Sequence, residues 1–344
     1  MKATAPRMSV SKPLFWLTLM TAVLLCLMVA ATGMGFIPVA PAKVLSILAE
    51  QLRGAGSLSD PMISEVIFNV RLPRIITSAA VGFGLAVAGT TFQGILLNPL
   101  AEPFTLGVSS GAAFGASLAL LLGLNFAGIW SVGLCAFAGA AATLLGVMAI
   151  AGSTHKLSPT NLILSGVIVS AMLSAGISFM KYMADERVSV IIYWLMGSFT
   201  ATTWSEALLA VTAAGAGLTA CLFMARDMNI MSTGDTTARS LGVETGKTRT
   251  ALLAIATLMG AACVAVSGII GFVGLIVPHL MRLACGPDNR LLLPASGLGG
   301  AILLLGADTL TRAVLPHEVP VGVLTALIGG PVFCFIFSRK LARS

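Results

Sequence analysis

The chain has 344 residues, 57% hydrophobic and only 10% charged, with a formal net charge of +7. Soluble domains carry about 25% charged residues, so this composition excludes a large water-exposed domain. The basic residues sit at the ends of apolar runs rather than along a stripe, which argues against nucleic-acid binding.

Nine uncharged stretches of 17 residues or more run through the chain: 13–42, 75–101, 103–155, 157–180, 188–205, 207–225, 250–281, 291–307 and 319–338. A hydrocarbon core about 30 Å thick takes roughly 20 apolar residues per helix, and one central charge costs about 2.5–3.5 kcal/mol. The reading is an all-α polytopic membrane protein. Lys2, Arg7 and Lys12 precede the first run, and Pro13 to Ala42 is too long for the 7–15-residue core of a signal peptide. A first transmembrane helix with a cytoplasmic N-terminus is expected. The 53-residue run 103–155 must hold two helices, broken near Gly123-Leu-Asn125. About ten transmembrane helices result, near 14–36, 73–97, 104–123, 129–152, 160–183, 203–224, 250–268, 269–284, 291–311 and 320–338. The seventh and eighth part near Gly268 to Gly271. The 188–205 run, bounded by Asp185-Glu-Arg187 and carrying Tyr193 and Trp194, reads as an interfacial helix.

Alternating sides from a cytoplasmic start puts 13 Lys and Arg inside and seven outside, namely Lys43, Arg53, Arg71, Arg74, Lys181, Arg187 and Arg312. This follows the positive-inside rule and places both termini in the cytoplasm. Ala86-Val-Ala-Gly89 with Pro99 matches Ala265-Val-Ser-Gly268 with Pro278 at an offset of 179 residues, five helices apart. An odd separation makes an inverted internal repeat; chance similarity of Gly/Ala-rich segments is the rival reading. Gly107, Gly111 and Gly115 share a helix face and allow close helix approach.

Residues 226–249 form the longest polar segment of the second half and are expected as a cytoplasmic loop. Asp235 suits the N-cap of a short helix through Leu241, with Gly242 as its C-cap. Such a helix has the shape of a lever that docks on another protein; an ordinary solvated loop is the alternative. Gly242-Val-Glu-Thr-Gly-Lys-Thr248 is one residue short of a phosphate-binding loop and follows a helix, not a strand, so nucleotide binding is rejected. On the outer side, Arg71-Leu-Pro-Arg74 and Arg312 offer forks that suit carboxylates of a partner, against interfacial snorkelling. His155, His279 and His317 lack a second ligand at i+3 or i+4. Cys26, Cys135, Cys221, Cys263, Cys285 and Cys334 form no CxxC pair. No metal site, cofactor, disulfide framework or catalytic residue is expected. Intramembrane carboxylates are restricted to Asp308 and Glu206 near helix ends, so transport energy is expected from elsewhere.

Several stretches carry a family resemblance: Arg71-Leu-Pro-Arg74, Gln93 through Asn98-Pro-Leu-Ala-Glu-Pro103, Leu106-Gly-Val-Ser-Ser-Gly111, Gly234-Asp235 through Ala238-Arg-Ser-Leu-Gly-Val243, Gly271-Phe-Val-Gly-Leu-Ile-Val-Pro-His-Leu-Met-Arg282, Leu293-Pro-Ala295, Asp308 to Arg312, and Val319-Pro-Val-Gly322. From about residue 60 onward the chain resembles the permease subunits of ABC importers for iron-siderophores, haem and vitamin B12. The resemblance implies a ten-helix type II importer fold in the cytoplasmic (inner) membrane. It implies a homodimer with the pathway between two copies, two cytoplasmic ATPase subunits that supply the hydrolysis, and an extracytoplasmic substrate-binding protein. It marks Asp235, Thr237, Ala238, Arg239, Ser240, Leu241 and Gly242 as the ATPase-coupling segment. Arg71, Arg74 and Arg312 match the arginines that dock the binding protein, and Ser158, Pro159 and Thr160 match a cytoplasmic gate, with Pro159 a departure. An iron-siderophore is the first expectation for the cargo, haem or cobalamin the next. The rivals are an ion-coupled secondary carrier and a membrane-embedded structural subunit.

Overall fold

A computed structural model describes residues 11–35, 39–52, 60–128, 130–152, 158–313 and 318–341. Lys2, Arg7, Arg53, His155, Lys156, His317 and Arg343 lie outside these residues. Regular structure among the described residues is helical throughout. In chain order the helices are α1 (Ser11–Gly33), α2 (Pro41–Leu52), α3 (Pro61–Glu65), α4 (Leu72–Leu96), α5 (Val108–Leu122), α6 (Trp130–Gly152), α7 (Pro159–Met183) and α8 (Val188–Leu195). They continue with α9 (Trp204–Phe223), α10 (Ala225–Met231), α11 (Asp235–Ser240), α12 (Thr245–Ser267), α13 (Val273–Cys285), α14 (Asn289–Ala313) and α15 (Val321–Leu341).

Among the described residues, seven helical stretches are long and apolar enough to cross a membrane, and α5, α13 and α15 supply shorter apolar helices. Two of the short ones begin later than their sequence suggests because the backbone before them is bent into left-handed conformations. Gly107 has φ 76° ahead of α5, and Phe272 has φ 68° ahead of α13. Residues 98–106 therefore form a turn-rich link, and Gly268 (φ 70°) ends α12. The second expected span begins earlier, since α3 runs through a π-helical turn, Val66–Arg71, into α4 to make one stretch from Pro61 to Leu96. The amphipathic α2 and the short α10 were not expected. Of the 188–205 run, Val188–Leu195 is helical and Trp204 and Ser205 already belong to α9.

Helix α4 is the axis of the molecule. It is buried along nearly its whole length and packs against α9, α12, α13 and α14. Glycine makes that possible: a Cβ on Gly82 would overlap the carbonyl oxygen of Gly300 in α14, and one on Gly89 the carbonyl oxygen of Gly274 in α13. Backbone-to-backbone contact of this kind maximises dispersion where lipid offers no hydrophobic driving force. Gly111 and Gly115 meet α6 at Gly139 and Cys135, while Gly107 meets α7 at Gly166 and Ser170. The 179-residue match does not carry over into local structure. Gly89 lies inside the unbroken α4, whereas Gly268 terminates α12 at positive φ.

The periphery differs from the axis. Helix α1 turns Phe15, Leu19, Val23, Leu25 and Val29 outward, a surface suited to lipid chains. Helix α7 instead exposes small and hydroxyl residues at Ala171, Ser174, Ala175 and Ser178 beside Met172 and Phe179.

Candidate functional site

Arg71 in the π-helical turn and Arg74 in the first turn of α4 meet Arg312 from the last turn of α14. Arg71, Arg74 and Arg312 are 5%, 8% and 7% exposed, so none reaches freely into solvent. Arg74 clamps Asp308 of α14 through Nε (3.0 Å) and Nη2 (2.9 Å), and its Nη1 reaches Glu318 at 3.1 Å and 3.3 Å. Arg312 stands one helical turn after Asp308, with Nε 3.7 Å from its second oxygen. Arg312 Nη2 donates to the carbonyl of Ala31 at 2.8 Å, and Arg71 Nη1 to that of Thr32 at 2.6 Å. Those carbonyls belong to the last turn of α1, which has no intrahelical donors left for them; the two arginines cap it and favour its negative end. A cavity of about 160 Å³ opens over the cluster, lined by Gly35, Val66, Val70, Arg71, Arg74, Arg312 and Glu318. Sequence reasoning pictured exposed forks. The folded arrangement is a buried network beneath that cavity.

The far end of α4 holds the polar segment. Asp235 is the first residue of α11 and not its N-cap; that place belongs to Gly234, at φ 104°. The Asp235 side chain instead pairs with Arg249, Oδ1 to Nη2 at 2.7 Å and Oδ2 to Nη1 at 3.4 Å. Arg249 is 3% exposed and directs Nε at the carbonyl of Ile95, 3.4 Å away, in the last turn of α4. Gly242, at φ 87°, turns the chain after α11, its N–H on the Arg239 carbonyl and that of Val243 on the Ala238 carbonyl. Ala238 is buried against Met231 and Val243, which leaves Thr237, Arg239, Ser240 and Leu241 facing out. Arg239 Nε donates to Thr245 Oγ1 at 3.1 Å, and Leu241 is 63% exposed on this polar face. A groove of about 450 Å³ runs beside it, lined by residues including Arg239, Val243, Thr245 and Lys247. Next to it, Arg282 Nη1 donates to Gln93 Oε1 at 3.1 Å, and Gln93 Nε2 to the carbonyl of Leu275 at 3.2 Å, tying α4 to α13.

Ser158, Pro159 and Thr160 open α7. Ser158 is its N-cap, its hydroxyl accepting from the N–H of Asn161 at 3.2 Å. Pro159 occupies the first helical position, where its fixed φ is favourable; its presence has a structural reason. Residues 153–157 are not described. In the link before α5, burial pushes the Glu102 carboxyl up to about 7.

Asp308, Glu318 and Arg249 were not singled out as site residues from the sequence. The spacing of Asp308 and Arg312, four apart on one helix, was the available signal for a pair. Glu318 and Arg249 gave none, since their partners are remote in sequence.

A family model described as the FecCD transport family matches residues 21–339. The chain is 41% identical over 279 residues to a cobalamin import system permease protein of Halobacterium salinarum, covering 81% of this chain and 75% of that one. It is 36% identical over 334 residues to an Fe(3+)-citrate import system permease protein of Bacillus subtilis, covering 96% and 97%. A solved inward-facing structure, assigned to the metal-chelate type of ABC transporter, superposes with a TM-score of 0.82 at 34% identity, covering 94% of this chain and 98% of the other.

Proposed function

This chain belongs to the FecCD transport family and is the permease subunit of an ABC importer, not its ATPase; from that premise we propose that it passes an iron-siderophore-type chelate through the cytoplasmic membrane. The observation that carries the mechanism is the double attachment of α4. Its outer end bears the arginine cluster, and its inner end is bonded through Arg249 to the exposed helix α11. A binding protein docks with carboxylates aimed into the cavity over Arg71, Arg74 and Arg312. Two cytoplasmic ATPases grip α11, with Arg239 and Leu241 facing their cleft, and closure on ATP shifts Asp235–Gly242. That movement passes to α4 and α12, and the turn at Ser158, Pro159 and Thr160 gates the inner mouth.

A second copy completes the pathway. Ala171/Ala175 and Ser174/Ser178 are small residues at i, i+4 on the exposed side of α7, the pattern by which membrane helices pack on each other. The near full-length likeness to the Fe(3+)-citrate permease supports a ferric chelate. The likeness to the cobalamin permease supports a corrinoid as the second reading. Proteoliposomes holding the chain with its ATPase and binding protein test both. ATP-dependent uptake of a labelled ferric siderophore, with cobalamin excluded, is the expected result; the reverse preference replaces the ferric reading by the second one.

A further inference from the structure

Two carboxylates share Arg74, and they are not alike. Asp308 has 1% of its side chain exposed and also faces Arg312, whereas Glu318 has 41% exposed and lines the cavity mouth. Three guanidinium groups and two carboxylates leave the cluster with one net positive charge. Glu318 has a second attachment: Thr200 Oγ1 donates to its Oε2 at 3.1 Å. Thr200 lies 2.8 Å from Ser198 Oγ, and the Ser198 N–H donates to the Ser267 carbonyl at the end of α12 at 2.8 Å. Three residues after Glu318, α15 begins. One exposed carboxylate therefore ties α4 to the link between α8 and α9 and to the start of α15.

We propose that Glu318 is a built-in competitor for the docking carboxylate. An incoming glutamate of the binding protein takes the Nη1 face of Arg74, and the displaced Glu318 lets go of Thr200. The exchange swaps one carboxylate for another, so no guanidinium is left buried and unpaired at any stage, which is the costly outcome. Docking is weakened by the internal rival and in return frees residues 198–202 and the start of α15 from α4. This inference rests on the docking role assigned to the outer arginines, and its test separates the two.

The measurement is affinity of the purified binding protein for the assembled importer, by surface plasmon resonance at low and high salt. Close charge pairs across interfaces couple by enough to change affinity about tenfold or more. Glu318→Gln keeps the side chain's size and its hydrogen bond from Thr200. It is expected to tighten docking about tenfold, most strongly at low salt, and to raise ATP turnover in the absence of binding protein. Thr200→Val, which touches no arginine, should tighten docking several-fold and covers the case in which Glu318→Gln fails to fold. Unchanged or weakened docking in both variants overturns the competition. Reversal of Arg71, Arg74 and Arg312 to Glu is the control. If that reversal leaves docking unchanged the docking role itself fails, and if it abolishes docking while Glu318→Gln and Thr200→Val have no effect, only the competition fails.

Discussion

With Arg74 2.9 Å from one oxygen and Arg312 3.7 Å from the other, Asp308 holds two like charges that would otherwise repel inside the protein. Removing one partner of a buried pair typically costs about 3–5 kcal/mol, because the remaining charge keeps its desolvation penalty. Asp308→Ala should therefore destabilise the detergent-solubilised protein by about that amount. Arg71→Gln, which gives up the bond to the Thr32 carbonyl, should cost about 1–3 kcal/mol. Unfolding midpoints of the two variants check the order. Glu102 gives a pH dependence. Its carboxyl lies near 7 in the folded chain against an ordinary 4.5, so between those values the folded state keeps a proton that the unfolded state has released. Stability should then fall as pH rises from about 4.5 to about 7 and level off above. Apparent melting temperatures at about pH 5 and about pH 8 test this; Glu102→Gln should remove that part of the slope, and a variant whose profile overlays the wild type's would remove the assignment.

Among the elements, α11 is held by a remote anchor, Arg249 of α12. Arg249→Gln deletes the pair to Asp235 while leaving the outward residues of α11 in place. Uptake by the assembled importer should drop at least tenfold, about 1.4 kcal/mol of lost coupling, while ATP hydrolysis persists. Arg239→Glu should do the same from the exposed face, and unimpaired uptake in either variant would remove that residue from the coupling path. The long helices were legible in the sequence because a charge in the bilayer is expensive, so their uncharged runs are enforced locally. The starts of α5 and α13 were not, since they are set by backbone turns at Gly107 and Phe272 that depend on packing. The same division holds in the candidate site. The α11 segment stood out as polar residues between apolar runs, whereas Arg74 and Asp308 are 234 residues apart, and no local pattern joins them.

At the scale of the whole molecule, the chain is a permease subunit and not the ATPase that drives it. Alone in nanodiscs it should hydrolyse no ATP and accumulate no cargo, and pumping by the isolated chain would refute the mechanism. Ser174→Cys, in a background with the exposed Cys26 and Cys334 replaced by Ser, should form a covalent dimer on oxidation in membranes. Only monomer would take α7 out of the interface between copies. The 25-residue α4 spans about 37 Å, with a network bonded to each tip. Thermodynamic reciprocity then binds the two faces of the membrane to one another: if nucleotide below raises or lowers the equilibrium affinity for the partner above by some factor, that partner must alter nucleotide affinity by an equal factor. A single rigid rod cannot inform one side without being answerable to the other.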